Sequence, residues 1–141
     1  MLFRSSVVFF VPGLAIAPDG RLLALLATKG LEHGPVHAIA LVSLDAGHEP
    51  PQRMLDPDPR ISSPPGFTPD GKALVYPIRE NGVDNLWLQP LDGSRGRQIT
   101  NFGSDTINMF EFSADGKTLG VMRSHNESDV VLLRDTGASP Q

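Results

Sequence analysis

One tight turn is used three times in this chain. It reads Ile16-Ala17-Pro18-Asp19-Gly20-Arg21, then Phe67-Thr68-Pro69-Asp70-Gly71-Lys72, then Phe112-Ser113-Ala114-Asp115-Gly116-Lys117. Each copy leads into a short apolar run: Leu22 to Ala27, Ala73 to Ile78 and Thr118 to Met122. The aspartates of successive copies are 51 and 45 residues apart. A period of roughly 40 to 50 residues with several strands per unit is that of a β-propeller blade. A second marker recurs in the same order: Leu44-Asp45-Ala46-Gly47, Leu91-Asp92-Gly93 and Arg134-Asp135-Thr136-Gly137.

The turn has a mechanism. Proline presets φ at the first central position, Asp suits the second, and Gly accepts the left-handed conformation that follows. In the second unit a first strand ends at Phe67. A second covers Ala73 to Ile78, with Leu74 and Tyr76 on one face and Val75 on the other. Pro77 belongs at a strand end or an edge, because it donates no ladder hydrogen bond. Asn81-Gly82 turns the chain into a third strand, Asn85 to Leu91, in which Leu86 and Leu88 alternate with Trp87 and Gln89. A fourth covers Arg97 to Thr100. The first unit runs Val7 to Ala17, Leu22 to Ala27, Val36 to Leu44 and a weak outer strand, Gln52 to Leu55. The third runs Ile107 to Phe112, Thr118 to Arg123 and Asp129 to Arg134.

The expected fold is therefore all-β: about three four-stranded antiparallel blades of an incomplete propeller, at about 7–55, 60–100 and 105–135. No window of a dozen residues holds a helical repeat without Gly or Pro, which number 14 and 13.

Composition narrows the function classes. Apolar residues make up 40% of the 141, enough for a core. The net charge of -4 and 12 scattered basic residues argue against a nucleic-acid partner. With no cysteine there is no disulfide, thiolate metal site or cysteine nucleophile. No apolar stretch reaches the length of a spanning helix. Arg4, Val7 to Val11 and Ala15-Ile16-Ala17 loosely copy a secretory signal, but Pro12-Gly13 interrupts it and Ile16 to Arg21 already belongs to the repeat. The compartment, cytoplasmic or periplasmic, stays open.

The turns resemble the TolB-type propeller repeat of bacteria, aromatic-Ser-Pro-Asp-Gly-Lys followed by Leu and a small apolar strand. The stretch Asp84 to Gly93, with Arg97-Gln98-Ile99-Thr100-Asn101-Phe102 and Ser128 to Asp135, resembles the last blades of C-terminal propellers of some bacterial serine/threonine protein kinases. That resemblance implies a sensory or scaffolding part with the kinase upstream. The chain has no glycine-rich nucleotide loop and no His-Arg-Asp, and Asn101-Phe102-Gly103 carries Asn where a kinase metal motif has Asp.

Residues that suggest chemistry have simpler readings. His33 and His37 flank Gly34-Pro35, which breaks any helix that would align them. Asp56-Pro57-Asp58 could ligate a hard cation, yet reads more simply as a rigid loop. No serine has a nucleophile-elbow context. Asn126-Glu127-Ser128 is a sequon that reads as a turn. Trp87 and Tyr76 read as blade core. No catalytic, cofactor or metal residue is assigned. Candidates for partner binding are positional: Arg60 and Ser62 near the second unit's first strand, Asp84 and Asn85 in the loop after the second strand, and Asp105 and Asn108 at the start of the third unit.

The expected function is a non-catalytic protein-interaction or sensor module, part of a larger bacterial regulatory protein, with a protein or peptide partner. The alternatives are the propeller piece of a serine/threonine kinase or peptidase, and a periplasmic TolB-like envelope protein. Three blades cannot close a ring, so the chain is expected to be a fragment or to pair as a homodimer into a six-bladed ring.

Overall fold

The structure, a computed structural model, describes residues 9–29, 36–45 and 53–125. Every regular element among them is a strand. The first sheet has the order β1 (Phe9–Ile16), β2 (Leu22–Lys29), β3 (Val36–Ser43), β4 (Arg53–Leu55). The second has β5 (Gly66–Phe67), β6 (Ala73–Glu80), β7 (Val83–Pro90), β8 (Arg97–Gln98). The third pairs β9 (Thr106–Phe112) with β10 (Leu119–Ser124). All pairs are antiparallel between chain neighbours, so each sheet is a meander. The expected strand at Asp129 to Arg134 lies outside the described residues, as do the sequon and His33.

The three turns fold alike. Gly20, Gly71 and Gly116 have φ of 73°, 68° and 70°. Each donates its N–H to the residue three back, Ala17, Thr68 and Ser113, at 2.8 Å. Each aspartate folds over to accept the N–H two residues on, Arg21 and Lys72 at 3.0 Å and Lys117 at 3.1 Å. Proline, Asp and Gly thus do here what the sequence assigned to them.

The sheets meet through two cores. One face of the first sheet, Ala24, Leu26, Ile39, Leu41 and Leu55, packs on Leu74, Tyr76 and Ile78 of the second and on Ile61, which is bridged to Ile78 from the loop before β5. The other face of the second, Val75 and Leu86, packs on Ile107, with Phe110, Phe112, Leu119 and Val121 against it. Leu74 and Tyr76 therefore face one neighbour and Val75 the other, as alternation requires.

Three expectations need correction. Pro77 lies inside β6, not at its end. Its carbonyl accepts the N–H of Ser62 at 2.9 Å. In an antiparallel strand a residue's N and C=O face the same side, so the missing donor points to the 60–65 loop, where β5 is already spent. The outer strand of the second sheet stops at Gln98, not Thr100. Thr100 Oγ1 instead accepts the N–H of Leu86 at 2.8 Å, a side chain replacing a ladder carbonyl. Asp84 and Asn85 are not in a loop. The two-residue Asn81-Gly82 turn places both in β7.

Candidate functional site

The six positional candidates fall at one end of the sheets, and all six are engaged within the chain. Asp84 is fully buried. Its carboxylate accepts a forked pair from Arg79, Nε at 2.8 Å and Nη2 at 2.9 Å. It also accepts the Ser62 hydroxyl at 3.3 Å and the Ile107 N–H at 2.9 Å. Its own N–H donates to the Asp105 carbonyl at 3.0 Å. One side chain thus ties β6, β7, the loop before β5 and the start of β9.

Asn85 does the neighbouring job. Its Oδ1 accepts the Phe102 N–H at 2.6 Å and the Thr100 hydroxyl at 3.0 Å, and its Nδ2 donates to the Phe102 carbonyl at 3.2 Å. The connection to the third sheet is thereby pinned to β7. Arg60 forks onto Asp58 at 2.9 Å through Nε and Nη2, and reaches Glu80 at 3.1 Å. Asp105, at φ 72°, lies 2.9 Å from His125 Nδ1 and 3.7 Å from Arg123, whose guanidinium sits 4.2 Å over the Phe102 ring. Asn108 accepts the Ser124 hydroxyl at 2.9 Å.

The structure brings together Ser62, Asp84 and the backbones of Arg60 and Asp105, the first of these backbones through the Arg79 N–H at 2.8 Å. Asn85 and Asn108 serve separate clusters. Arg79 and Glu80 escaped the sequence reading. Their signal is local: a two-residue hairpin places Arg79 directly opposite Asp84.

Charge in the network is settled by its partners. Burial alone would push the Asp84 carboxyl up. The Arg79 guanidinium, the Ile107 amide and Ser62 outweigh it and hold it below the usual carboxylate range. Asp58 is held low chiefly by the Arg60 side chain. Burial pushes the Tyr76 phenol up to about 12. A lowered carboxyl contributes stability that is complete above its unfolded value of 3.8 and is lost as pH falls through the folded one. The thermal midpoint should therefore hold level down to about pH 5 and drop steeply below about pH 4. A raised phenol works the other way, so a second decline should begin near pH 10 and extend toward 12. Melts from pH 2 to 12 check both limbs.

Among the described residues, no group of three or more His, Asp or Glu could hold a metal ion. The cation reading of Asp56 and Asp58 competes with Arg60, which already occupies the Asp58 carboxylate. Every buried side-chain N or O described has a hydrogen-bond partner. The polar rim is thus spent on holding sheets together.

Open space lies beside this rim, and of the six candidates Asn108 borders it. The first strands of the sheets, β1, β5 and β9, border two neighbouring hollows of about 320 and 380 Å³. Both are lined by Gly66, Phe110 and Glu111. Pro18, Phe67 and Pro69 help form the first, and Leu14, Pro64 and Pro65 the second. The walls are proline-rich and shallow and mix apolar surface with polar groups of Ser63, Asn108 and Ser113, and Glu111 is the one ionisable group among the residues that line them. The hollows exist because β5 is two residues long between inner strands of eight and seven. No described helix is long and apolar enough to cross a membrane.

No family model matches the chain. A stretch of 49 residues is 39% identical to tricorn protease homolog 2 of Streptomyces coelicolor, over 35% of this chain and 4% of that protein. TolB from Acinetobacter baumannii superposes with a TM-score of 0.58 at 20% identity, over 82% of this chain and 27% of that one. An acylaminoacyl peptidase bound to Z-Gly-Gly-Phe-chloromethyl ketone gives 0.61 at 17% identity, over 93% and 20%. The chain spans well under half the length of these proteins. The fold is that of a TolB-like propeller.

Proposed function

We propose that this chain is a propeller section acting as a non-catalytic interaction module within a larger bacterial regulatory protein. It takes an extended protein or peptide segment along the hollows between β1, β5 and β9. The observation that carries this reading is the contrast between the two candidate surfaces. The polar rim has its buried groups paired internally, whereas the inner groove offers unfilled volume, walled by prolines and phenylalanines interspersed with polar groups, around a single carboxylate. Loops and channel walls are where rigid β scaffolds place recognition. The groove suits apolar side chains accompanied by a cation that Glu111 can meet.

Selection of random decapeptides on the immobilised full chain tests this. Captured sequences should combine apolar residues with Lys or Arg, and Pro64→Glu should abolish capture. Failure to enrich any peptide would overturn the reading.

A second reading is favoured by the match to the tricorn protease homolog and the peptidase superposition. In it the chain is the propeller portion of a peptidase, and catalysis belongs to sequence outside these 141 residues. A kinase parent and a periplasmic TolB-like role remain proposals from the sequence resemblance. The four differ in what adjoins the propeller, not in what the groove does.

A further inference from the structure

We propose that the partner segment binds as an added β-strand on the open edge of β9, carrying a cationic side chain between two apolar ones. This rests on reading the hollows as the partner site, and it adds the mode of binding and the sequence pattern.

Among the described residues β9 is paired on one edge only, to β10. Two contacts fix which backbone groups that pairing uses. Ser113 donates its N–H to the Thr118 carbonyl at 2.8 Å. The Glu111 carbonyl lies 3.7 Å from where a Cβ would stand on Gly120, its cross-strand partner. Residues 111 and 113 therefore turn N–H and C=O toward β10. By alternation Phe110 and Phe112 turn theirs the other way. That way lies the open space: residues from Ile107 to Ala114 line the two hollows, and no residue of β10 does. One group on this side already serves as a donor within the chain, the Ile107 N–H, which meets the Asp84 carboxylate at 2.9 Å.

The other two first strands are poorer templates. β1 contains Pro12 and loses its register between Phe10 and Leu14. β5 is two residues long and follows Pro64-Pro65. From Met109 to Phe112, β9 keeps a regular register and has no proline. A row of unpaired N–H and C=O groups of this kind accepts a strand from another chain.

The pleat then dictates the pattern. The Phe110 and Phe112 rings pack toward the second core. Peptide residues opposite them point the same way, into space bordered by Gly66, Phe67 and Pro69, and favour apolar side chains. The residue between points to the other face, beside Glu111, which is exposed. Opposite charges on neighbouring strands stabilise the pair, so this position favours Lys or Arg.

The test uses the full chain and the labelled peptide acetyl-Thr-Thr-Val-Lys-Val-Thr-Thr-amide, followed by fluorescence anisotropy. It should bind about tenfold more tightly than its isomer acetyl-Thr-Thr-Val-Val-Lys-Thr-Thr-amide, whose one-residue slip puts the cation on the wrong face. Replacing its amides by esters one at a time removes single donors. Esters at alternate positions should weaken binding about fivefold, and those between them by less than about twofold. Equal binding of the two isomers, or an ester scan without alternation, would overturn strand addition while leaving peptide capture in the groove intact. No binding of the first peptide would also overturn it, and the decapeptide selection then decides the groove by itself.

Discussion

Replacing Asp84 with alanine should lower stability by about 2 to 4 kcal/mol, with the third sheet loosening first. The carboxylate is fully buried and accepts from Arg79, Ser62 and Ile107. Its removal leaves the Ile107 N–H without an acceptor inside the joint. Arg79 is half exposed, so water recovers part of its loss, which keeps the effect below that of a wholly buried pair. Asp84→Asn keeps the shape and one acceptor and should cost about half as much. Urea unfolding measures both, and amide exchange at Ile107 reports where the structure opens. A change under about 0.5 kcal/mol for the alanine variant would mean that Asp84 is not the tie between these sheets.

Tyr76→Ala should cost more, about 3 to 5 kcal/mol. The ring is fully buried in the core between the first two sheets. Its hydroxyl donates to Gln89 at 2.6 Å and accepts the Asp58 N–H at 2.9 Å. Tyr76→Phe isolates the polar share. It should cost about 1 kcal/mol and remove the alkaline decline that the raised phenol produces. Thermal melts of wild type and Phe variant at pH 8 and pH 11 separate the two contributions. An unchanged alkaline limb in Tyr76→Phe would assign that decline to another group.

The repeat made most of the fold legible. Three turns carry proline or alanine, Asp and Gly at matching positions, and each closes with the same 2.8 Å bond. Alternation in β6 and β7 assigned Leu74, Tyr76 and Val75 to their faces because both faces of the middle sheet are buried. Local rules failed where tertiary context substitutes for the ladder. Pro77 sits mid-strand because its neighbour strand ends early. Thr100 leaves its strand because its side chain does a carbonyl's work. Asp84 was picked out by position, yet its burial was not legible. A charged residue two beyond an Asn-Gly turn reads as solvent-facing until Arg79 and Ile107 are seen to enclose it. The groove was illegible for a related reason. It arises from the shortness of β5 relative to β1 and β9, a length that Pro64-Pro65 sets only together with its neighbours.

The most direct test of the groove is hydrogen exchange on the full chain with and without a selected decapeptide. The expected result is added protection confined to Leu14–Ile16, Gly66–Phe67 and Ile107–Phe112, with the outer strands β4 and β8 unchanged. Protection at β4 or β8, or none on the first strands, would contradict binding along the inner face.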